Sequence, residues 1–170
     1  MGHVNIEIKA RCDDPDRIRD ILHSRDAKFV GEDHQIDTYF DVKNGRLKLR
    51  EGDIENNLIY YERKNDSGPK QSDVILFRTE LNSPLKEILL KSVGTRIVVD
   101  KRREIYFIDN VKFHIDLVEG LGSFVEIEAI DEKGDIGSKR LREQCNSFVE
   151  LLGIKEEELL SNSYSDLLEQ

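Results

Sequence analysis

Residues 4–11 read V-N-I-E-I-K-A-R, and the alternation is unbroken: Val4, Ile6, Ile8 and Ala10 fall on one face of a strand, Asn5, Glu7, Lys9 and Arg11 on the other. Residues 124–130, F-V-E-I-E-A-I, repeat the pattern with Glu126 and Glu128 two apart. If the charged faces meet solvent, the chain is an ordinary half-wet sheet. If they turn inward, it is a barrel lined with charge, and the lining needs a ligand.

The chain has 170 residues, a length suited to one domain spanning 1–170. Charged residues make up 36% and the net charge is −9, which argues against partners that need a net basic surface, namely nucleic acid and anionic membrane. Cys12 and Cys145 have no motif spacing, so free thiols in a reducing compartment are expected. No apolar run approaches the ~20 residues of a membrane span. The first residues lack a leader pattern, and Ile6 stands where a myristoylation signal needs Ser or Thr. A cytoplasmic protein is expected.

Further strands are expected over 35–42, 45–51, 57–63, 73–79, 96–108 and 111–118. The Asn44-Gly45 pair marks one hairpin turn and Asp109-Asn110 another. Helices are expected after the N-cap Asp14 with Pro15 in the first turn, after the N-cap Ser83 with Gly94 beyond the end, over about 138–152, and over about 155–168. Residues 65–70, N-D-S-G-P-K, read as a loop, with Ser67, Lys70 and Ser72 candidates for a flap over a site. About eight strands predict an α+β fold, an eight-stranded antiparallel β-barrel with helices packed outside; periodicity alone also allows an open sheet.

Strand by strand, the polar faces carry Glu7, Lys9 and Arg11; Asp37, Tyr39 and Asp41; Arg46, Lys48 and Arg50; Tyr61 and Arg63; Lys101 and Arg103; Lys112, His114 and Asp116; Glu126 and Glu128. A solvated face usually mixes both charge signs with Ser, Thr and Gln, whereas here Arg and Lys dominate the middle strands. Carboxylates about 6.7 Å apart on one face can share a hard cation, Mg²⁺ or Mn²⁺, through oxygen ligands. A facing row of Arg and Lys suits a polyphosphate, and without that anion the cations are expected to repel one another.

The segments I-E-I-K (6–9), D-T-Y-F-D (37–41), R-L-K-L-R (46–50), D-K-R-R-E-I-Y-F (100–107) and G-L-G-S-F-V-E-I-E (120–128) resemble the CYTH superfamily, the triphosphate tunnel metalloenzymes. These include class IV adenylyl cyclases and thiamine triphosphatases. The resemblance runs in order along essentially the whole chain. It implies a closed tunnel with Glu7, Glu126, Glu128 and Asp116 near the metal. Lys9, Arg11, Lys48, Arg50, Arg63, Lys101, Arg103, Lys112 and His114 are then candidates for binding the triphosphate. Glu7 and Lys9 are the catalytic candidates, Lys9 either as proton acceptor or as phosphate clamp. The family's first motif is Glu-x-Glu-x-Lys, and here Asn5 stands in place of the first Glu.

The resulting expectation is a metal-dependent phosphohydrolase acting on a small-molecule triphosphate. An adenylyl cyclase using the same tunnel and a non-catalytic polyphosphate sensor are the alternatives. Related barrels often pair through outer surfaces, so a homodimer is a further expectation.

Overall fold

The strict alternation at the N-terminus builds β1, His3–Arg11. It is followed by α1 (Pro15–Ser24), β2 (Lys28–Phe40), β3 (Arg46–Glu51), β4 (Asn57–Arg63), β5 (Lys70–Arg78), α2 (Leu85–Ser92), β6 (Thr95–Ile108), β7 (Val111–Val118), β8 (Gly122–Asp131), α3 (Ser138–Leu151), β9 (Leu159–Leu160) and α4 (Tyr164–Leu168). The computed structural model describes residues 2–63 and 68–170. Neighbouring strands run in the order β5-β4-β3-β2-β6-β7-β8-β1, and β1 pairs again with β5. That last pairing closes an eight-stranded antiparallel barrel and leaves no open edge among these eight strands.

The barrel is polar inside and apolar outside. Ile6, Ile8 and Ala10 of β1 join Phe113 and Ile115 of β7 and Val125 and Ile127 of β8 on the outer wall, under Ile18 and Leu22 of α1 and Leu141 and Cys145 of α3. Each such side chain contributes roughly 1.5–3 kcal/mol on burial, so this outer layer carries the stability that a normal barrel draws from its interior. Asp14 caps α1 by accepting from the Arg17 amide at 3.1 Å, as its position before Pro15 predicts. Cys12 and Cys145 are buried and free. Among the described residues, no helix is long and apolar enough to cross a membrane.

Four local expectations change. β2 begins seven residues early, with a register shift between Phe29 and Gly31 as residues 28–34 pair with β6. The loop reading of 65–70 fails at its end: Lys70 opens β5 opposite Glu7, and Lys70 and Ser72 are buried strand residues rather than flap residues. Ser67 lies outside the described residues. Ser83 does not cap α2; Pro84 occupies that position without a side-chain hydrogen bond.

The fourth change has consequences for the site. No single helix covers 155–168: one 3₁₀ turn at Glu156–Glu158 gives way to β9, which pairs with Lys9 and Ala10, and α4 restarts at Tyr164. Lys70 Nζ donates to the carbonyls of Leu160 and Ser161 at 3.0 and 2.8 Å, and Arg46 reaches Ser163 Oγ at 2.6 Å and Asp166 at 2.9 Å. Side chains of the barrel therefore take over backbone groups that a continuous helix would have bonded internally. The C-terminal segment lies across one end of the barrel as a result.

Candidate functional site

The barrel encloses a cavity of about 600 Å³. Its wall includes Asn5, Glu7 and Lys9 from β1, Lys48 and Arg50 from β3, Arg63 from β4, Lys101 and Arg103 from β6, Lys112 and His114 from β7, and Glu126 and Glu128 from β8. The charged faces thus look inward. Two expected members do not line it. Arg11 is exposed at the end of β1, where the strand still pairs with Phe124 of β8 but lies beyond its pairing with β5, and its guanidinium is 5.4 Å from the Phe124 ring centre. Asp116 shares the inward face of β7 with Lys112 and His114 but is covered, with its oxygens taken by Arg103 Nε and Nη2 at 2.8 and 2.7 Å and by the Tyr164 hydroxyl at 2.7 Å. It orients Arg103 and has no oxygen turned to the cavity.

The inner part of the cavity gathers Lys9, Lys48 and Arg63 around Tyr39 and Tyr61. Lys48 Nζ lies 5.4 and 5.6 Å from the two ring centres, and the Arg63 guanidinium is 5.8 Å from that of Tyr61. These cations are loosely held. The nearest acid to Lys9 is Glu126 at 3.4 Å, and Lys48 reaches Asp37 at 3.2 Å. Arg63 donates one bond, from Nη1 to Glu7 at 2.5 Å; its Nε and Nη2 are buried without a partner among the described residues. A buried N–H of a charged group with no acceptor is costly, and an anion in the cavity would satisfy both. Burial also lowers the pKa of Lys9, with Arg63 and Lys48 adding to the effect against the pull of Glu126.

The carboxylates stand beside this cluster. Glu7 faces Glu128 across the β1–β8 pair, and Lys9 faces Glu126 one step on. Burial pushes the Glu128 carboxyl up to about 6, with Glu7 and Glu126 adding to the shift and Lys112 opposing it. Asn5 donates its Nδ2 to Glu128, and its Oδ1 is buried without a partner among the described residues. Crowded carboxylates with an orphaned amide oxygen are a donor set that suits a hard divalent cation. In the described residues, no three acidic, imidazole or thiol groups already converge as a metal cluster.

The expectation that the cations depend on a bound anion narrows to the inner cluster, because the fold supplies internal counter-ions for Arg50, Lys101 and Lys112. Asp37, fully buried, accepts from Arg50 Nε and Nη2 at 2.9 Å each and from Lys101 at 2.7 Å. Glu55, in the β3–β4 loop, accepts from Arg50 Nη1 at 3.1 Å and from Lys112. Asp37 was visible on a polar face but has no local signature of its role. Glu55 belongs to no strand, so alternation could not find it. Tyr164 closes the inner end, its ring 3.7 Å below Lys9 Nζ.

His114 gives a test of this interior. Its Nδ1 lies 3.2 Å from Glu126, its Nε2 is buried without a partner among the described residues, and burial with Arg103 nearby pulls its pKa down to about 4. As pH falls below about 6.5 the unfolded chain takes up the proton and the folded one does not until about 4, so stability declines across that window. In the metal-free protein this residue should cost roughly 1.5 kcal/mol of unfolding free energy between pH 6.5 and 5. Denaturant titrations of the wild type and His114→Gln at the two pH values check this: the variant should lose less stability by about that amount.

A model of the CYTH domain matches residues 3–164. The chain is 28% identical over 174 residues to a Methanocaldococcus jannaschii protein whose name gives adenylate cyclase as a provisional assignment, covering 96% of this chain and 98% of that one. It is 26% identical over 182 residues to the adenylate cyclase CyaB of Aeromonas hydrophila, covering 100% of this chain and 91% of that one. Among solved structures, the PH1012 protein of Pyrococcus horikoshii superposes with a TM-score of 0.81 at 25% identity, over 96% of this chain and 98% of that one.

Proposed function

The chain belongs to the CYTH domain family, and from that premise we propose that it is a divalent-metal-dependent phosphohydrolase whose barrel holds a triphosphate-bearing small molecule. The observation that carries this reading is the inner cluster of Lys9, Lys48 and Arg63, under-supplied with acceptors and adjacent to Glu7, Glu126 and Glu128. Inside a closed barrel such a cluster stores affinity for a multiply charged anion.

Arg63 and Lys48 would grip phosphoryl oxygens, Arg63 through its unpartnered Nε and Nη2 and Lys48 as a point charge. Arg103, fixed by Asp116 and so pre-oriented, and Lys101, fixed by Asp37, would add positive potential where charge develops on the transferred phosphoryl group. Glu7, Glu126 and Glu128 would hold Mg²⁺ or Mn²⁺, which when bound supplies charge neutralisation at the phosphates. A water attacks the terminal phosphorus in line and the bond to the bridging oxygen breaks. Lys9, with its lowered pKa, can accept the water's proton or hold the departing phosphate. For inorganic triphosphate the products are orthophosphate and pyrophosphate.

A second reading is cyclisation of ATP, favoured by the names of the two relatives. It needs the same cations but places attack at the α-phosphorus, with pyrophosphate leaving. Incubation with Mg²⁺ or Mn²⁺ and a panel of inorganic triphosphate, ATP, GTP and thiamine triphosphate separates the two. Orthophosphate release, lost in Glu126→Gln, is the expected result; cyclic AMP with pyrophosphate would transfer the assignment to the cyclase.

A further inference from the structure

The cations of the barrel divide into two groups, and Glu55 marks the boundary. Lys9, Lys48 and Arg63 lack close or complete partners, as described above. At the other group, Arg50 has Nε and Nη2 on Asp37, so only Nη1 is left to face the cavity, and Glu55 Oε2 occupies it at 3.1 Å. The same carboxylate takes Lys112 with its other oxygen and accepts from Gln35 Nε2 at 3.1 Å. Arg50 Nη1 and Lys112 Nζ are thus donors of a kind that a phosphoryl group would use, already filled by a side chain of the protein.

The loop that presents Glu55 is built rather than slack. Asp33, fully buried, accepts from the backbone amides of Asp53, Ile54 and Glu55 at 2.7, 3.0 and 3.0 Å. Asn56 bridges the amide and carbonyl of Gly52, and a Cβ on Gly52 would fall 2.6 Å from Asp33 Oδ2, so the loop wraps tightly on that carboxylate. The backbone has no slack with which to withdraw the Glu55 charge when an anion approaches. Ile54, Asn56 and Asn57 of the same stretch also line the cavity, so Glu55 stands in its wall rather than on the outer surface.

We propose that Glu55 is a specificity-determining residue that sets phosphate-chain length. Its carboxylate closes the Arg50–Lys112 seat, confines the phosphates to the Lys9–Lys48–Arg63 cluster, and disfavours a chain longer than a triphosphate. This rests on the triphosphate reading above and deepens it. An added phosphoryl group would have to break the contacts of Glu55 to Arg50, Lys112 and Gln35, and would meet a like charge held in place.

The test is a calorimetric titration of the intact protein with inorganic triphosphate and inorganic tetraphosphate, in the wild type, Glu55→Gln, Glu55→Ala and Glu55→Asp. The wild type should prefer triphosphate. The ratio of tetraphosphate to triphosphate affinity should rise about tenfold in both neutral variants and stay within about threefold of wild type in Glu55→Asp, which keeps the charge. An unchanged ratio in Glu55→Gln and Glu55→Ala, with triphosphate still bound, would overturn the role of Glu55 alone. Failure of the wild type to bind triphosphate would overturn the underlying reading with it.

Discussion

Replacing Asp37 with Asn should destabilise the protein by about 3–5 kcal/mol, because it leaves the buried Lys101 ammonium without a carboxylate partner and the neighbouring Arg50 guanidinium with Glu55 alone. Asp37 lies 2.9 Å from Arg50, 2.7 Å from Lys101 and 3.2 Å from Lys48, and its side chain is 1% exposed. Burial alone would raise its pKa, but Arg50, Lys101 and Lys48 outweigh that and hold it well below the usual carboxylate range. Its stabilisation is therefore complete above the unfolded pKa near 4 and is lost only as pH falls below that value. Lys101 can shed its proton to relieve the variant, whereas Arg50 cannot. The deficit should accordingly shrink at high pH. A thermal melt at pH 7 should fall by roughly 10 °C or more; a fall of only one or two degrees would mean that the Asp37 hub does not hold the interior together.

The largest functional effect is expected at Arg63. Its side chain is 4% exposed, it bonds Glu7 through Nη1, and its Nε and Nη2 have no partner among the described residues. Arg63→Gln removes the fixed positive charge and the two free donors from the inner cluster at one stroke. Triphosphate affinity should drop about thirtyfold, the scale of losing charge-assisted hydrogen bonds. The rate of phosphate release should fall by roughly 10³, since an arginine on the transferred phosphoryl group acts most strongly in the transition state. Steady-state kinetics on inorganic triphosphate checks both. A change in KM with an unaltered kcat would assign Arg63 to binding alone.

The alternating strands announced two-faced strands because a period of two survives any packing: Ile6 and Ile8 had to lie opposite Glu7 and Lys9 whichever side became the core, whereas closure into a barrel was implied by the family resemblance. The inward-facing charges Lys48, Arg50, Lys101, Arg103, Glu126 and Glu128 were legible for the same reason. What escaped was set by partners distant in sequence. Asp33 organises residues 52–56 through backbone amides some twenty positions on, and no local pattern foretells that Glu55 will then reach Lys112. The tail opens with good helix formers at 155–160, but Ser161–Asp166 favour caps, Ser163 and Asp166 close a capping box that starts α4, and Lys70 and Arg46 hold the segment across the barrel end through its carbonyls and hydroxyls. Arg11 shares the parity of Lys9 but not its surroundings, since alternation fixes a face and says nothing about how far along the strand the cavity reaches.

The central claim is that the barrel interior is a triphosphate site, and calorimetric titration of inorganic triphosphate into the wild-type protein and Arg63→Gln tests it most directly. One equivalent should bind the wild type, with affinity about thirtyfold weaker in the variant. No binding, or equal binding by both proteins, would contradict the claim.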